Sequence, residues 1–185
     1  MPELSINART GELVLGPHRL TPGLAEPELL KSAVEPRPER IPRRSSNGFY
    51  QLKLPINAEH EAIAVLEFLS GGLLQGIRLK LLKPQMRMPV WSKQVEQEIK
   101  RSHDLWLKEQ LGNPSYVHLS GPFYQFSWGR IASLIELPHN YSATINIDYT
   151  RGGGWRALLM GLARMAQTMR LSGLSRWLFR AALRS

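Results

Sequence analysis

Three stretches near the middle of this chain, YQLKLPIN, AIAVLEFL and GIRLKLL, alternate apolar and polar residues with a period of two. Successive strand side chains point to opposite faces. Leu52, Leu54 and Ile56, then Ala64, Leu66 and Phe68, then Ile77, Leu79 and Leu81 therefore each line one face. Gly71-Gly72 supplies the tight turn between the second and third runs. Arg78 and Lys80 fall on the opposite, wetter face, as in a sheet covered on one side only.

The flanking segments extend this pattern. In ELSINARTGELVLG, Leu4 and Ile6 alternate before a polar loop and Leu13 and Leu15 after it, a hairpin in which Gly11 takes the positive φ of a closing bulge. TPGLAEPELLKS reads as a short helix with Pro27 near its start. Residues 33–47, rich in proline and arginine, read as an exposed loop whose Arg40, Arg43 and Arg44 are solvated. SKQVEQEIKRSHDLWLKEQLG is the long helix, with Ser92 as N-cap and Gly112 as stop. At 100° per residue Val95, Ile99, Ser102 and Trp106 form its apolar stripe, with Lys100, Asp104 and Lys108 opposite, and Glu96–Lys100 and Asp104–Lys108 pairs supporting it. His103 falls beside that stripe, at the sheet boundary. FYQFSWG, RIASLIEL and ATINIDY then return to strand alternation, ending at Tyr149.

The expected fold is α+β: an antiparallel sheet of about seven or eight strands with one long helix packed on one face, followed by an amphipathic helical tail. Residues 1–150 form a single domain in this reading. Arg151 and the glycines at 152–154 join it to a basic tail over 151–185.

Charge divides along the same line. The chain of 185 residues carries a formal net charge of +9. Seven of the 24 basic residues and none of the 15 acids lie in 151–185, so the first 150 residues carry only about +2. Nucleic acid is therefore disfavoured as a partner of the body, and a strip of Arg78, Lys80, Lys83 and Arg87 reads as an ordinary exposed strand face. In the tail, Leu158, Leu162, Met165 and Met169 share one helical face, and Arg176, Arg180 and Arg184 repeat at i, i+4 and i+8 beside Trp177. This segment fits an extension without a selected role, a protein-packing helix pair, or an interfacial helix on anionic lipid through Arg176, Trp177, Arg180 and Arg184. The opening MPELSINART lacks the features of a signal peptide, and no apolar run of spanning length occurs, so a cytoplasmic protein, with the tail offering attachment at the inner membrane, is expected.

No catalytic constellation emerges. Without cysteine there is no thiolate nucleophile or zinc-thiolate site. The five histidines, at 18, 60, 103, 118 and 139, are isolated, and phosphate-binding glycine motifs and Gly-x-Ser-x-Gly are missing. The expectation is therefore no catalytic, cofactor or metal residues.

The layout of LSINARTGELVLG, HRLTPG, a central helix starting at Trp91-Ser92, and FSWGRIASLIELPHNYSATINIDY resembles small bacterial proteins of immunity-protein-like type over residues 2–150. These are suspected partners of antibacterial toxins. The resemblance implies a fold and a toxin-neutralising role, and carries over no functional residues. The reading is thus a non-catalytic binding protein with a protein partner, a toxin by resemblance. Exposed aromatics Tyr50, Trp91, Tyr124 and Tyr141 are its anchor candidates, although Tyr124 also fits the core. The alternative is a membrane-surface protein held by its tail.

Overall fold

The computed structural model describes residues 4–42, 47–57, 60–69, 72–82, 92–136 and 141–149. The expectations for Trp91, Lys83, Arg87, Arg43, Arg44, the joint at 151–154 and the whole tail fall outside the described residues.

An eight-stranded antiparallel sheet runs in the order β4 (Glu39–Arg40), β5 (Gly48–Asn57), β6 (His60–Phe68), β7 (Leu74–Leu82), β11 (Ser142–Asp148), β10 (Gly129–Glu136), β9 (Gly121–Phe126) and β8 (Tyr116–His118). A separate three-stranded sheet holds β1 (Leu4–Ile6), β2 (Leu13–Leu15) and β3 (His18–Leu20). The N-terminal hairpin therefore builds a second small sheet instead of extending the main one, a correction to the single sheet expected. Helices α1 (Glu26–Lys31) and α2 (Lys93–Leu111) complete the described elements.

The registers explain the core. Tyr50 is opposite Leu66, Leu66 opposite Ile77, Ile77 opposite Ile147, Ile147 opposite Ile131 and Ile131 opposite Tyr124. All six are buried, so one apolar row crosses six strands. Each such side chain contributes about 1.5–3 kcal/mol by leaving water.

The small sheet is held to the main one by two aromatic residues. Trp128 donates its indole N–H to the Ala8 carbonyl at 2.8 Å, and Tyr149 donates its hydroxyl to the Gly11 carbonyl at 3.0 Å. Trp128 also stacks on Phe126 with ring centres 4.9 Å apart. Gly11 has φ +76°, and a Cβ there would lie 2.6 Å from the Trp128 ring. Both the turn and the close approach require glycine.

Helix α2 begins and ends as its sequence suggests. The Ser92 hydroxyl accepts from the Val95 N–H at 3.2 Å, and Gly112, at φ 78°, donates to the Lys108 carbonyl. Its buried side is rotated from the one expected: Ile99 is buried as expected, but Glu96, His103 and Leu107 join it, while Val95 and Ser102 are half-buried and Trp106 packs only partly against the core. The expected Glu96–Lys100 pair is replaced by Lys80–Glu96 at 2.8 Å and Lys100–Asp104 at 2.7 Å.

The reason lies in the seam between β7 and β11. Their pairing runs from Asp148–Gly76 to Ile145–Leu79 and stops. Tyr149 donates to the Gln75 carbonyl in the same register, so antiparallel alternation makes Ile147–Ile77, Ile145–Leu79 and then Ala143–Leu81 the hydrogen-bonded positions. That last pair is open. The Leu81 N–H instead donates to Nε2 of His103 at 3.0 Å, and the Ala143 N–H donates to Oε2 of Glu96 at 2.7 Å. Two buried polar side chains of α2 thus take the place of a lost ladder pair. Lys80 closes the arrangement, its ammonium reaching both Glu96 oxygens and the Ser142 hydroxyl at 3.1 Å.

His103 is fully buried, a correction to its expected place at the sheet boundary. Burial, with the Lys80 ammonium nearby, pushes its pKa down to about 3. An imidazole that accepts from Leu81 through Nε2 must be neutral.

Two outcomes follow from these contacts. Gly11→Ala should cost about 2 kcal/mol or more in urea unfolding, through strained φ and collision with Trp128. Gly23→Ala, with nothing within 4 Å of the added carbon, should change stability by less than about 0.5 kcal/mol. For His103, the unfolded chain takes up a proton near pH 6.5 and the folded one only near 3. Stability must therefore fall as pH drops through that window, by up to about 1.4 kcal/mol per pH unit. His103→Gln keeps an acceptor for Leu81 without titrating, so its stability profile between pH 6 and 4 should be flatter than that of the parent; parallel profiles would contradict this assignment.

Candidate functional site

The two edges of the large sheet differ in chemistry. Strand β4 is two exposed, charged residues, Glu39 and Arg40, paired with Gln51 and Tyr50. Charge and brevity blunt such an edge against further pairing. Strand β8, at the other end, is Tyr116, Val117 and His118, all exposed, with no lysine, arginine, acid or proline among them. Val117 is 72% exposed, and Leu119 beyond it is fully exposed.

This edge is ordered by its own hairpin. Tyr116 lies opposite Phe123 on β9, their rings stacked 4.9 Å apart at 6°. His118 meets Phe123 edge-on at 6.3 Å. Nδ1 of His118 lies 3.0 Å from the Ser120 hydroxyl and also accepts from the Ser120 N–H at 3.4 Å, which closes the turn into β9. Gly121 then packs so tightly under the Ser133 carbonyl that a Cβ there would approach it to 2.1 Å. Strand alternation puts Val117 on one face of the sheet and Tyr116 on the other. The hairpin end therefore offers apolar side chains on both sides of a backbone edge that no other described strand pairs with.

The aromatic anchors expected from sequence are not gathered on one surface. Tyr50 and Tyr124 are each only 3% exposed, so the expected exposure of Tyr50 is corrected and the core placement that Tyr124 also fitted is the one observed; the two end the buried row that crosses the sheet. Five strand spacings separate β5 from β9, roughly 24 Å. The Tyr50 hydroxyl donates to the Glu26 carboxylate, joining α1 to β5, and its ring meets Phe68 edge-on. Burial, reinforced by Glu26, raises its pKa, and burial with nearby Asp104 raises that of Tyr124. Tyr141 is half-buried, accepting from the Gln97 amide at 3.4 Å beneath the Lys93 ammonium, 5.8 Å from the ring centre. It ties the first turns of α2 to the start of β11. Trp91 and the tail residues Arg176, Trp177, Arg180 and Arg184 lie outside the described residues.

Sequence reasoning passed over Tyr116, Val117 and Leu119. The signal was present in SYVHLSG, where apolar residues occupy both parities of a short run between Pro114 and Gly121. Among the described residues no group of three His, Asp or Glu side chains is arranged to hold a metal ion. The Lys80 ammonium of the expected basic strip is engaged by Glu96.

No family model matches the chain, and no curated protein matches it. A solved structure described as "Rhs1-CT in complex with cognate immunity protein RhsI1" contains a chain that superposes with a TM-score of 0.55. The fold is shared. Identity is 18%, and the match covers 87% of this chain and 98% of that one. The likeness agrees with the immunity-protein-like type that the sequence resembles.

The burial pattern sets the response to substitution. Val117→Ser and Leu119→Ser should each leave the melting temperature nearly unchanged, because both side chains are already in water. Tyr50→Ala and Tyr124→Ala should each cost about 3 kcal/mol or more in urea unfolding. A large loss for the first pair would place β8 inside the core after all.

Proposed function

We propose that this protein is a non-catalytic binding protein of immunity type, which neutralises a toxin domain by covering it. The observation that carries this reading is the match of nearly the whole of one chain from a toxin–immunity complex. The contrast between the two sheet edges supports it further, since a stable monomer has no need of an apolar, uncharged edge. Tyr116, Val117 and Leu119 are the contact candidates. An anchor of this kind works by filling a pocket on the partner while the surrounding contacts exclude water. Blocking by occupancy requires neither nucleophile nor cofactor, in keeping with the histidine and glycine patterns of the chain.

The near-neutral body bears on how such a partner is held. Acidic mimicry of nucleic acid, one way to block a nuclease, needs a strongly negative surface, whereas residues 1–150 carry a small positive charge. Shape and apolar contact are the remaining means.

The test is a search of the neighbouring genes for a toxin-like domain, followed by calorimetry of that domain with the full-length chain. A submicromolar complex is expected, and Val117→Asp with Leu119→Asp should weaken it by about 100-fold without lowering the melting temperature. Absence of a complex with the parent chain would overturn the immunity reading. Undiminished affinity of the double variant would instead move the contact away from β8.

A further inference from the structure

The amides of Leu81 and Ala143 each have two potential partners. In the observed arrangement they donate to His103 and Glu96 of α2. In the uninterrupted register they would donate to one another's carbonyl groups, because these residues occupy the next hydrogen-bonded position after Ile145–Leu79. The two strands already share the register needed for this second arrangement. Only closure is required.

The helix prevents closure by occupying the donors. With Nε2 of His103 and Oε2 of Glu96 holding these two amides, neither N–H is available to the carbonyl of the opposite strand, and the ladder stops at Ile145–Leu79. The hold also has a built-in cost. Nδ1 of His103 is buried without a hydrogen-bond partner among the described residues. Glu96, almost fully buried, is held by the Lys80 ammonium and the Ala143 amide. Release of α2 would return both polar groups to water and let the amides pair with backbone.

We infer that α2 is a two-point latch that props open the β7–β11 seam, and that the sheet has a second, zipped arrangement which its release makes available. The device is a bistable element in which one set of backbone donors chooses between helix side chains and the neighbouring strand. Any ligand that binds better to one arrangement shifts the balance between them. The inference stands apart from the proposed toxin partner, since it concerns the seam alone.

The absence of cysteine from the chain allows a direct test. In the zipped register Leu82 and Ser142 face each other at a non-hydrogen-bonded position, where strand Cα atoms approach to about 4.5 Å and a disulfide fits. Leu82→Cys with Ser142→Cys is introduced into the full-length chain, with and without Glu96→Leu and His103→Leu. Oxidation should cross-link the latch-released chain at least about tenfold faster than the latched one. Cross-strand Hα–Hα contacts between Lys80 and Thr144 should appear in its NMR spectrum. Equal cross-linking rates in two folded proteins would overturn the latch. If the doubly substituted helix does not fold, His103→Leu alone decides the matter: faster cross-linking supports the latch, and an unchanged rate in the folded protein rejects it.

Discussion

Backbone donors taken out of water must be given partners, and at one place in this protein that rule determines how the only long helix among the described elements is seated. Where β7 and β11 part, the amides of Leu81 and Ala143 face into the seam, and α2 supplies an imidazole and a carboxylate to receive them. The cost of burying Glu96 and His103 is offset because each receives a backbone amide that the parted strands do not pair. The Lys80 ammonium reaches both that carboxylate and the Ser142 hydroxyl, so β7, β11 and α2 meet at one polar centre.

From that centre the remaining architecture follows in two directions. Toward β4, the meander of β5, β6 and β7 is local in sequence and paired through long regular registers. Toward β8, the strands after α2 return antiparallel and end in the stacked Tyr116–Phe123 hairpin. The buried row from Tyr50 to Tyr124 crosses both halves, and its continuity depends on β11 lying beside β7 in one register. Trp128 and Tyr149 then dock the small N-terminal sheet through the carbonyls of Ala8 and Gly11.

Much of this architecture is legible in the amino-acid sequence. The period-two runs mark the strands, Ser92 and Gly112 mark the ends of α2, and Gly11 marks its turn, because each rests on local backbone chemistry. The pairing of β11 with β7 is not legible, since strands separated by some sixty residues leave no local trace of register. Two errors have that common source. Tyr50 looks like a free surface aromatic, and Tyr124 fits surface and core alike, until the registers place both at the ends of one buried row. The apolar stripe through Val95 and Trp106 looks like the packing face of α2 until the seam is seen, because nothing in the sequence shows the amides that draw Glu96 and His103 inward. The same blindness hides the exposed β8 edge, whose apolar residues say nothing of exposure until their neighbours are placed.

The functional reading stands on a different footing from this architecture: it draws on a shared fold and on the contrast between a charged sheet edge and an apolar one. The seating of α2 in the seam rests on the bond from Leu81 to His103, and NMR can observe that bond. In uniformly 15N-labelled protein at neutral pH, scalar coupling across an N–H···N hydrogen bond links the two nitrogens. The account predicts a resolved coupling between the Leu81 amide nitrogen and Nε2 of a neutral His103 that carries its proton on Nδ1. A His103 protonated on Nε2, with no coupling to Leu81, would contradict it.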